Sequence, residues 1–483
     1  MANRFIEVIK KKWLRNITLT ILLFAIIICA YLGINYAVSL ANISDLDFTA
    51  EKIYSISQTT KDKLQDLEED VTISIYNMYD YVNDFAYKYA NLNEHIKVEE
   101  LENLNAKSDW KTNYGVTDTS SFMVIHTDVK EKILYDYNLY TYDYTTYEEI
   151  DITEESMTNA IIDVTTEVKP KIYFATGHEL YSEEYFQLLE ASLISEVNEV
   201  EYVDLLTTGQ VPEDCEVLVL TALKEDITEA ERDDILDYIE NGGEILLLLD
   251  PNLNQIETPN FQEVLDEYGV SVSDGIILEG DSSKMMYSSP SYVISTINSS
   301  SEIVKNISMD LNICMMNPGK LTIASDEELE EKNVTSEILA TVSDQAFYRT
   351  DLEETSASQV DSDEDAAGAT VAAMFTKEVG DDNNSKMIVF ANTVFATNMS
   401  IQIDIQYYSY AIMLYNNEDV LLNSISYLTE NESNITIRKT GETVTTYNVT
   451  AQQTRIVLAI IFAIPIFIII LGIIIWQVRR RKK

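Results

Sequence analysis

Two polar side chains follow predicted buried strands, at positions where parallel sheets often carry reactive groups. The segment KIYFATGHEL predicts a strand that ends in a turn at Gly177 and is followed by His178. The segment EILLLLDP predicts a second strand that ends at Asp250. Because open α/β sheets bind ligands beyond the carboxyl ends of their strands, Gly177, His178 and Asp250 form a candidate binding edge.

Acid–base catalysis at this edge needs more than a histidine and a carboxylate. A general base acts on a nucleophile or on a metal-bound water, and the sequence places neither beside His178 or Asp250. The alternative interpretation is structural: Gly177 makes the turn, and the two polar side chains hold loops by hydrogen bonds. The sequence favours the structural interpretation and leaves the catalytic one open.

A run of tyrosines, ILYDYNLYTYDYTTYEEI, is the second candidate site. Its tyrosines alternate with other residues as the side chains of a β-strand do. The tyrosines concerned are Tyr135, Tyr137, Tyr140, Tyr142 and Tyr144. They form a candidate aromatic surface on which a sugar or a peptide would stack. The simpler interpretation is a half-exposed hairpin in a chain that has 30 tyrosines.

Common catalytic and metal-binding motifs are missing from the sequence. It contains no G-x-x-x-x-G-K-[ST] loop, no G-x-S-x-G turn and no H-E-x-x-H pair, and its three histidines lie far apart. The stretch 361–372 begins like a calcium loop, but it lacks the glycine and the final carboxylate of such loops. We therefore predict no enzyme activity, no metal site and no cofactor.

Two uncharged apolar stretches, 17–38 and 456–476, are long enough to cross a bilayer as helices. Basic residues flank them towards the chain ends: Lys10, Lys11, Lys12, Arg15, Arg479, Arg480 and Arg481. Because short basic segments stay in the cytoplasm, the tails 1–16 and 477–483 are predicted to be cytoplasmic. Residues from about 40 to 454 are then extracytoplasmic, and the bilayer is a partner of the chain.

The elements that position the candidate sites follow from the pattern between the two spans. After Pro170 strands alternate with helices, and Thr228 with Glu231 predicts a helix that starts with a capping box. We expect an α/β fold with a parallel α/β domain at 170–290. The other predicted parts are a membrane-proximal α+β domain at 41–169, a continuation at 291–430 with a mobile acidic loop at 351–369, and a linker at 431–455.

Net charge excludes one class of partner. The 483-residue chain has a formal net charge of −48, although both of its ends are basic. Proteins bind nucleic acids through lysine and arginine contacts with phosphates, so the acidic segment between the spans is not expected to bind nucleic acid. Solubility is the simplest explanation of this acidity.

Several segments in a fixed order make the sequence similar to the GldG family, the auxiliary membrane components of bacterial ABC-type transport systems first associated with gliding motility. They are FTAEKIYSISQTTKDKLQDLEEDVTISIY after the first span, KIYFATGHEL, LVLTALKEDITEAERDDILDYIENGGEILLLLDP, and NITIRKTGETVTTYNVTAQQTRIVLAIIFAIPIFIIILG before the basic end. The resemblance covers about half of the chain and leaves out residues 285–385.

The resemblance implies a central domain similar to the class I glutamine amidotransferase fold. Enzymes of that fold carry a nucleophilic cysteine on a sharp turn after a central strand. The candidate turn here, LLLLDPNLN, carries Asp250 and Pro251 instead. Cys215 and Cys314, the two cysteines of the predicted outer segment, lie elsewhere and are expected to be unpaired. The resemblance therefore implies the fold without the enzyme.

For function, the resemblance implies an accessory component that associates with a multi-span permease and a separate cytoplasmic ATPase. Its acidic outer domain would receive substrate, gate the permease or anchor the complex to a ligand in the cell envelope. Two alternatives remain at this point. One is a cell-surface module that binds glycans or peptides through the tyrosine run. The other is a membrane-anchored hydrolase or amidotransferase that uses the edge at His178 and Asp250.

Overall fold

The structure of the protein, a computed structural model, describes residues 28, 55–142, 149–253, 256–304, 307, 311–354, 356–380, 383–402 and 408–430. All of them belong to one of two compact units, Met1–Gly441; the other unit is Glu442–Lys483. Apart from residue 28, both predicted spans lie outside the described residues, as do their basic flanks, the linker at 431–455 and Tyr144. No helix in the described part of the chain is long and apolar enough to cross a bilayer.

The region before residue 169 is built on a four-stranded sheet in the order β2-β1-β3-β4. Its elements are α1 (Gln58–Leu64), β1 (Val71–Tyr76), α2 (Asp80–Leu92), β2 (Ile96–Glu100), α3 (Ser108–Asn113), β3 (Phe122–His126), β4 (Glu131–Tyr135), β5 (Tyr140–Tyr142), β6 (Glu149–Asp151) and α4 (Thr153–Thr165). β1 pairs with β2 in parallel and with β3 antiparallel. The strands β5 and β6 form a separate antiparallel hairpin.

Strand alternation gives this sheet two buried faces. In β3, Met123 and Ile125 point into one apolar cluster, which also contains residues of α2 and α4. Phe122 and Val124 point to the opposite face and pack with Trp110 of α3. Because successive side chains of a strand point to opposite faces, one continuous apolar strand can serve two cores.

A nine-stranded sheet in the order β14-β13-β16-β19-β20-β10-β9-β7-β8 organises the rest of the described chain. Its strands are β7 (Lys171–Thr176), β8 (Glu199–Asp204), β9 (Val217–Thr221), β10 (Glu244–Leu248), β13 (Tyr292–Ile297), β14 (Asn312–Met316), β16 (Val334–Thr341), β19 (Thr370–Gly380) and β20 (Asn383–Phe390). Its helices are α5 (Gln187–Ser195), α6 (Leu205–Thr208), α7 (Glu229–Glu240), α8 (Pro259–Glu267), α9 (Asp326–Glu331) and α10 (Asn417–Leu428). Smaller strands are β11 (Val270–Val272), β12 (Ile276–Leu278), β15 (Leu321–Ile323), β17 (Phe347–Arg349), β18 (Glu364–Asp365), β21 (Ser400–Gln402) and β22 (Tyr408–Tyr410).

The expected α/β fold with a central sheet is confirmed, but the sheet is mixed and not parallel throughout. β8, β7, β9, β10 and β20 run parallel to one another. β19, β16, β13 and β14 extend the sheet in antiparallel pairs. The predicted parallel domain ends at residue 290, whereas the strands of the nine-stranded sheet lie between residues 171 and 390. The local sequence pattern shows each strand but not its partner, which is why the sequence missed the extension.

Both faces of the parallel strands are buried, as the continuous apolar runs predict. In β10, Leu246 and Leu248 point into one cluster, which also contains residues of α5 and α10. Ile245 and Leu247 point into the other, which contains residues of α7 and α8. Burial of a leucine or isoleucine side chain contributes roughly 1.5–3 kcal/mol to the stability of the fold. The parallel strands therefore form a stable core, which positions the loops at their ends.

The acidic segment 351–369 is tied to the sheet region by a buried arginine. Arg349, in β17, is 3% exposed, and its guanidinium lies 2.6 Å from an oxygen of Asp363. The same guanidinium donates to the carbonyls of Ser356 at 2.7 Å and Ser358 at 3.1 Å. Arg349 therefore holds several of the described residues of this segment, although it precedes the acidic stretch; the predicted mobility of the loop stays a prediction.

Candidate functional site

The carboxyl ends of the parallel strands bring several polar residues to one edge of the central sheet. Gly177 and His178 follow β7, Thr221 ends β9, Asp250 follows β10, and Thr393 follows β20. Since these strands run parallel, their ends meet on the same side of the sheet. The residues of the predicted binding edge thus lie at the carboxyl ends of the parallel strands, and their role in binding stays a prediction.

His178 is placed by a tight turn and by pairing with the loop after β9. Gly177 has a φ of +110°, a conformation that residues with a side chain rarely adopt. The carbonyl of His178 accepts the amide of Lys224 at 2.8 Å, and the carbonyl of Ala222 accepts the amide of Leu180 at 2.6 Å. These bonds place the histidine beside the first turn of α7.

The imidazole of His178 faces a buried carboxylate. Its Nε2 atom lies 3.1 Å and 3.2 Å from the two carboxylate oxygens of Glu231, which is 2% exposed. Because an ionised carboxylate only accepts, Nε2 is the ring nitrogen that donates. The other ring nitrogen, Nδ1, is 3.9 Å from the exposed Glu225. The histidine therefore connects the turn after β7 to α7.

Glu231 has a structural role of its own as part of the predicted capping box. Its carboxylate accepts both the amide and the hydroxyl of Thr228 at 2.8 Å. The hydroxyl of Thr228 accepts the amide of Glu231 at 3.3 Å in return. The carboxylate that faces His178 is thus also the group that closes the first turn of α7.

Asp250 is bound on both carboxylate oxygens. Oδ1 accepts the amide of Thr393 at 2.7 Å, and Oδ2 accepts the hydroxyl of Tyr181 at 2.8 Å. The hydroxyl of Thr393 donates to the carbonyl of Leu248 at 2.7 Å. Burial raises the pKa of Asp250, and burial together with the nearby Asp250 raises the pKa of Tyr181. Asp250 therefore joins the ends of β10 and β20 to the loop after β7.

The two polar side chains of the predicted binding edge belong to two separate hydrogen-bond groups. His178 pairs with Glu231, and Asp250 pairs with Tyr181 and Thr393. Among the hydrogen bonds between described residues, none joins His178 to Asp250.

Sequence reasoning identified Glu231 only as a cap and missed Tyr181 and Thr393. Tyr181 is three residues from His178, but nothing in the local pattern indicates that Thr393 reaches Asp250.

The two cysteines of the described chain are free thiols that lie away from this edge. Cys215 precedes β9, at the opposite end of the strand, and Cys314 lies within β14. Burial raises the pKa of each thiol to about 12. Since the thiolate is the reactive form, neither cysteine is activated as a nucleophile near neutral pH.

A cleft of about 720 Å³ lies at the opposite edge, beside the amino ends of the parallel strands. Tyr238 lines it, and its hydroxyl accepts the amide of Glu244 at 3.1 Å. Burial raises the pKa of Glu244 to about 8, although Lys386 lies 3.8 Å away and opposes the shift. No local pattern in the sequence distinguishes this buried carboxyl group from the many other acidic side chains.

The tyrosine run does not form one alternating strand. β4 ends at Tyr135, a 3-10 helix covers Asp136–Leu139, and β5 begins at Tyr140. The rings of Tyr135 and Tyr137 stack at 5.1 Å with 10° between their planes. Asp136 and the turn that follows β4 break the alternation, because a 3-10 helix has a period of three residues.

A small pocket forms where the tyrosine run meets the start of α2. Its volume is about 410 Å³, and the described residues that line it are Tyr79, Tyr81, Asp136, Tyr137, Tyr140 and Glu149. The rings of Tyr79 and Tyr81 stack at 6.1 Å with 18° between their planes. Burial and the nearby carboxylates of Asp151 and Glu149 raise the pKa of Tyr140. The sequence missed Tyr79 and Tyr81 because they come more than 50 residues before the run.

Comparison with protein families identifies the central part of the chain. Residues 169–424 match the family model ABC_transp_aux, described as an ABC-type uncharacterized transport system, and this match covers more than half of the chain. The chain belongs to the ABC_transp_aux family. It is an auxiliary component of an ABC-type transport system, as the resemblance implied at this coarser level. The more specific GldG assignment remains a prediction.

Several solved structures are similar to part of the chain, all at low identity. The mmIFT52 N-terminal domain is 15% identical, with 53% of this chain and 97% of that chain covered and a TM-score of 0.40. A ThuA-like protein from Bacteroides uniformis is 10% identical, with coverages of 55% and 93% and a TM-score of 0.32. Another ThuA-like protein, from Parabacteroides merdae, is 11% identical, with coverages of 57% and 94% and a TM-score of 0.33. No curated protein matches the chain. These likenesses carry no argument about function.

Proposed function

We propose that this protein is a non-catalytic, GldG-type auxiliary membrane component of a bacterial ABC transport system. It associates with a separate permease and a separate cytoplasmic ATPase, and it presents its acidic domain outside the cytoplasm. That domain receives substrate, gates the permease or anchors the complex to the envelope. The family match over residues 169–424 is the observation that carries this proposal.

The hydrogen bonds at the carboxyl edge of the sheet support the non-catalytic part of the proposal. Asp250 uses both carboxylate oxygens to hold Tyr181 and Thr393, and His178 is directed at the capping carboxylate Glu231. A hydrolase at this edge would need a base aimed at a nucleophile or at a bound water. The contacts of His178 and Asp250 instead fasten loops to the sheet.

The membrane part of the proposal rests on the two uncharged stretches at 17–38 and 456–476 and on their basic flanks. Each stretch is long enough to cross the hydrocarbon core, and the flanks predict the same side for both termini. A domain held to the membrane at both ends stays at the membrane surface, where a permease opens.

Purification from native membranes tests the proposal. The full-length protein, tagged at one cytoplasmic end, is extracted in mild detergent and captured, and its partners are identified by mass spectrometry. We expect one permease and one ATPase to be enriched together. An unrelated protein with two spans and the same tag is the control bait. Recovery of the chain alone, or with the same proteins as the control, would contradict the proposal.

A further inference from the structure

The pocket beside the tyrosine run is formed by three separate segments of the chain. Tyr79 and Tyr81 come from the start of α2, Asp136, Tyr137 and Tyr140 from the 3-10 turn and the start of β5, and Glu149 from β6. At about 410 Å³, the pocket has the size of sites that hold a small molecule, which usually measure roughly 300–1,000 Å³. It is an open surface pocket whose lining comes from parts of the chain that are far apart in the sequence, not from a single hairpin.

Two of the four aromatic rings that line the pocket are largely open to solvent. Tyr79 is 60% exposed and Tyr137 is 67% exposed. Each of these rings stacks on one neighbour, Tyr81 and Tyr135 respectively, and such stacking occupies a single face. Clustered exposed aromatic side chains mark binding sites more often than isolated ones do.

Two carboxylates give the pocket its charge. Asp136 accepts the amide of Tyr137 at 2.9 Å, and Glu149 accepts the hydroxyl of Tyr142 at 3.3 Å. Both of these bonds use one oxygen of the carboxylate. No lysine, arginine or histidine is among the described residues that line the pocket. A ligand with a positive charge therefore meets two carboxylates and no basic side chain among the described lining residues.

We infer that this pocket binds a free organic cation of the quaternary ammonium class. The negative faces of aromatic rings attract such a cation, and the attraction strengthens when the cation leaves water. Asp136 and Glu149 add direct charge attraction at short range. A phosphate attached to the cation, as in a choline lipid headgroup, would be repelled by the same two carboxylates, so the free cation fits this pocket better than the headgroup does.

Titration calorimetry with choline tests this inference. The full-length protein is reconstituted in phosphatidylglycerol nanodiscs, which contain no choline or sugar, and empty nanodiscs provide the blank. We expect saturable choline binding, with the neutral carbon isostere of choline bound at least about tenfold more weakly because it lacks the charge. Phosphocholine is expected to bind more weakly than choline.

Substitutions of Tyr137 test the contribution of the aromatic ring to binding, and a substitution of Glu149 tests the contribution of the negative charge. Each has a matched control variant. Tyr137→Leu is expected to weaken choline binding about tenfold, whereas Tyr137→Phe keeps the ring and changes binding about twofold or less. Tyr87→Leu, on the exposed side of α2 but outside the pocket, should leave binding unchanged. Glu149→Gln should weaken binding, and Glu102→Gln, an exposed control outside the pocket, should not.

Several outcomes would overturn the inference. Equal binding of choline and its neutral isostere would show an apolar pocket without charge selection. Binding of oligosaccharides but not choline would show a sugar site. Preferred binding of phosphocholine would show a headgroup site. Absence of choline binding by protein whose melting curve shows that it is folded would show that the pocket does not select cations. The readout does not depend on transport, so it can fail while the proposed function holds.

Discussion

His178 and Asp250 are fixed by hydrogen bonds to neighbouring elements of the fold. Each is held against groups that have structural roles: Glu231 caps a helix, and Thr393 bonds the end of the neighbouring strand. Glu244, in contrast, was not predicted as a site residue, yet burial raises its pKa to about 8. At the scale of single residues, the hydrogen bonds of His178 and Asp250 stabilise loops and the start of a helix.

Replacement of His178 tests the structural role at the carboxyl edge. His178→Ala leaves the buried carboxylate of Glu231 without its imidazole partner, which should lower the free energy of unfolding by about 1–3 kcal/mol. We expect a lower melting temperature in thermal unfolding of the full-length protein. His95→Ala is the control, because His95 pairs with the exposed Asp70 and should matter little. An unchanged melting temperature for His178→Ala would contradict the structural interpretation and favour a role in binding or catalysis.

The pKa of Glu244 predicts how stability depends on pH. The folded protein keeps a proton on Glu244 up to about pH 8, whereas the unfolded chain releases it near the ordinary value of 4.5. Between these values the folded state binds more protons than the unfolded state, so stability falls as pH rises. The loss due to this group should be on the order of a few kcal/mol and complete above pH 8.

Glu244→Gln removes this titration and provides the measurement. Melting temperatures of the variant and the parent protein should be similar near pH 5, and the variant should melt higher at about pH 8 to 9. Glu216→Gln, an exposed control at the same cleft, should follow the parent protein. A parent protein that gains stability over the same range, with no difference in Glu244→Gln, would refute the raised pKa.

At the scale of elements, the acidic segment 351–369 depends on one buried ion pair. Arg349 holds the pKa of Asp363 below its usual value, and burial of the carboxylate opposes this shift. Arg349→Met leaves a buried carboxylate without its partner, which should cost about 3–5 kcal/mol. We expect a lower melting temperature and faster proteolysis within 351–369.

A double replacement distinguishes the ion pair from simple packing. Arg349→Met with Asp363→Leu removes both charges, and apolar replacement of a whole buried pair is often close to neutral. The double variant should therefore melt above the single variant. Arg232→Met, which removes a partly buried arginine paired with Asp233 and Glu263, is the control for loss of an arginine. A double variant that is less stable than the single one would contradict this explanation.

Local patterns explain which elements were predictable. The capping box of Thr228 and Glu231 and the apolar run of β10 depend on residues a few positions apart, and both are present as predicted. The pairing of β10 with β20 joins Ile245 to Met387, and the bond between Thr393 and Asp250 spans 143 residues. Such contacts depend on the topology of the sheet. Tyr79 in the aromatic pocket was missed for the same reason.

At the scale of the whole molecule, charge predicts how the aromatic pocket responds to salt. The chain has a net charge of −48, and the pocket adds Asp136 and Glu149 at close range. Choline affinity should fall as salt rises from low to physiological ionic strength, because salt screens exposed charges over about 10 Å. Calorimetry at two salt concentrations checks this expectation. Affinity that does not change with salt would show that the carboxylates do not contribute.

The central domain of the chain is built on one continuous sheet. Its proposed role depends on other proteins of a transport system. The most direct measurement is the composition of the assembly that the full-length protein brings out of native membranes. The proposed function predicts a permease and an ATPase in a constant ratio to this chain across repeated purifications. Purification of the chain without them, under conditions that keep other ABC assemblies intact, would contradict it.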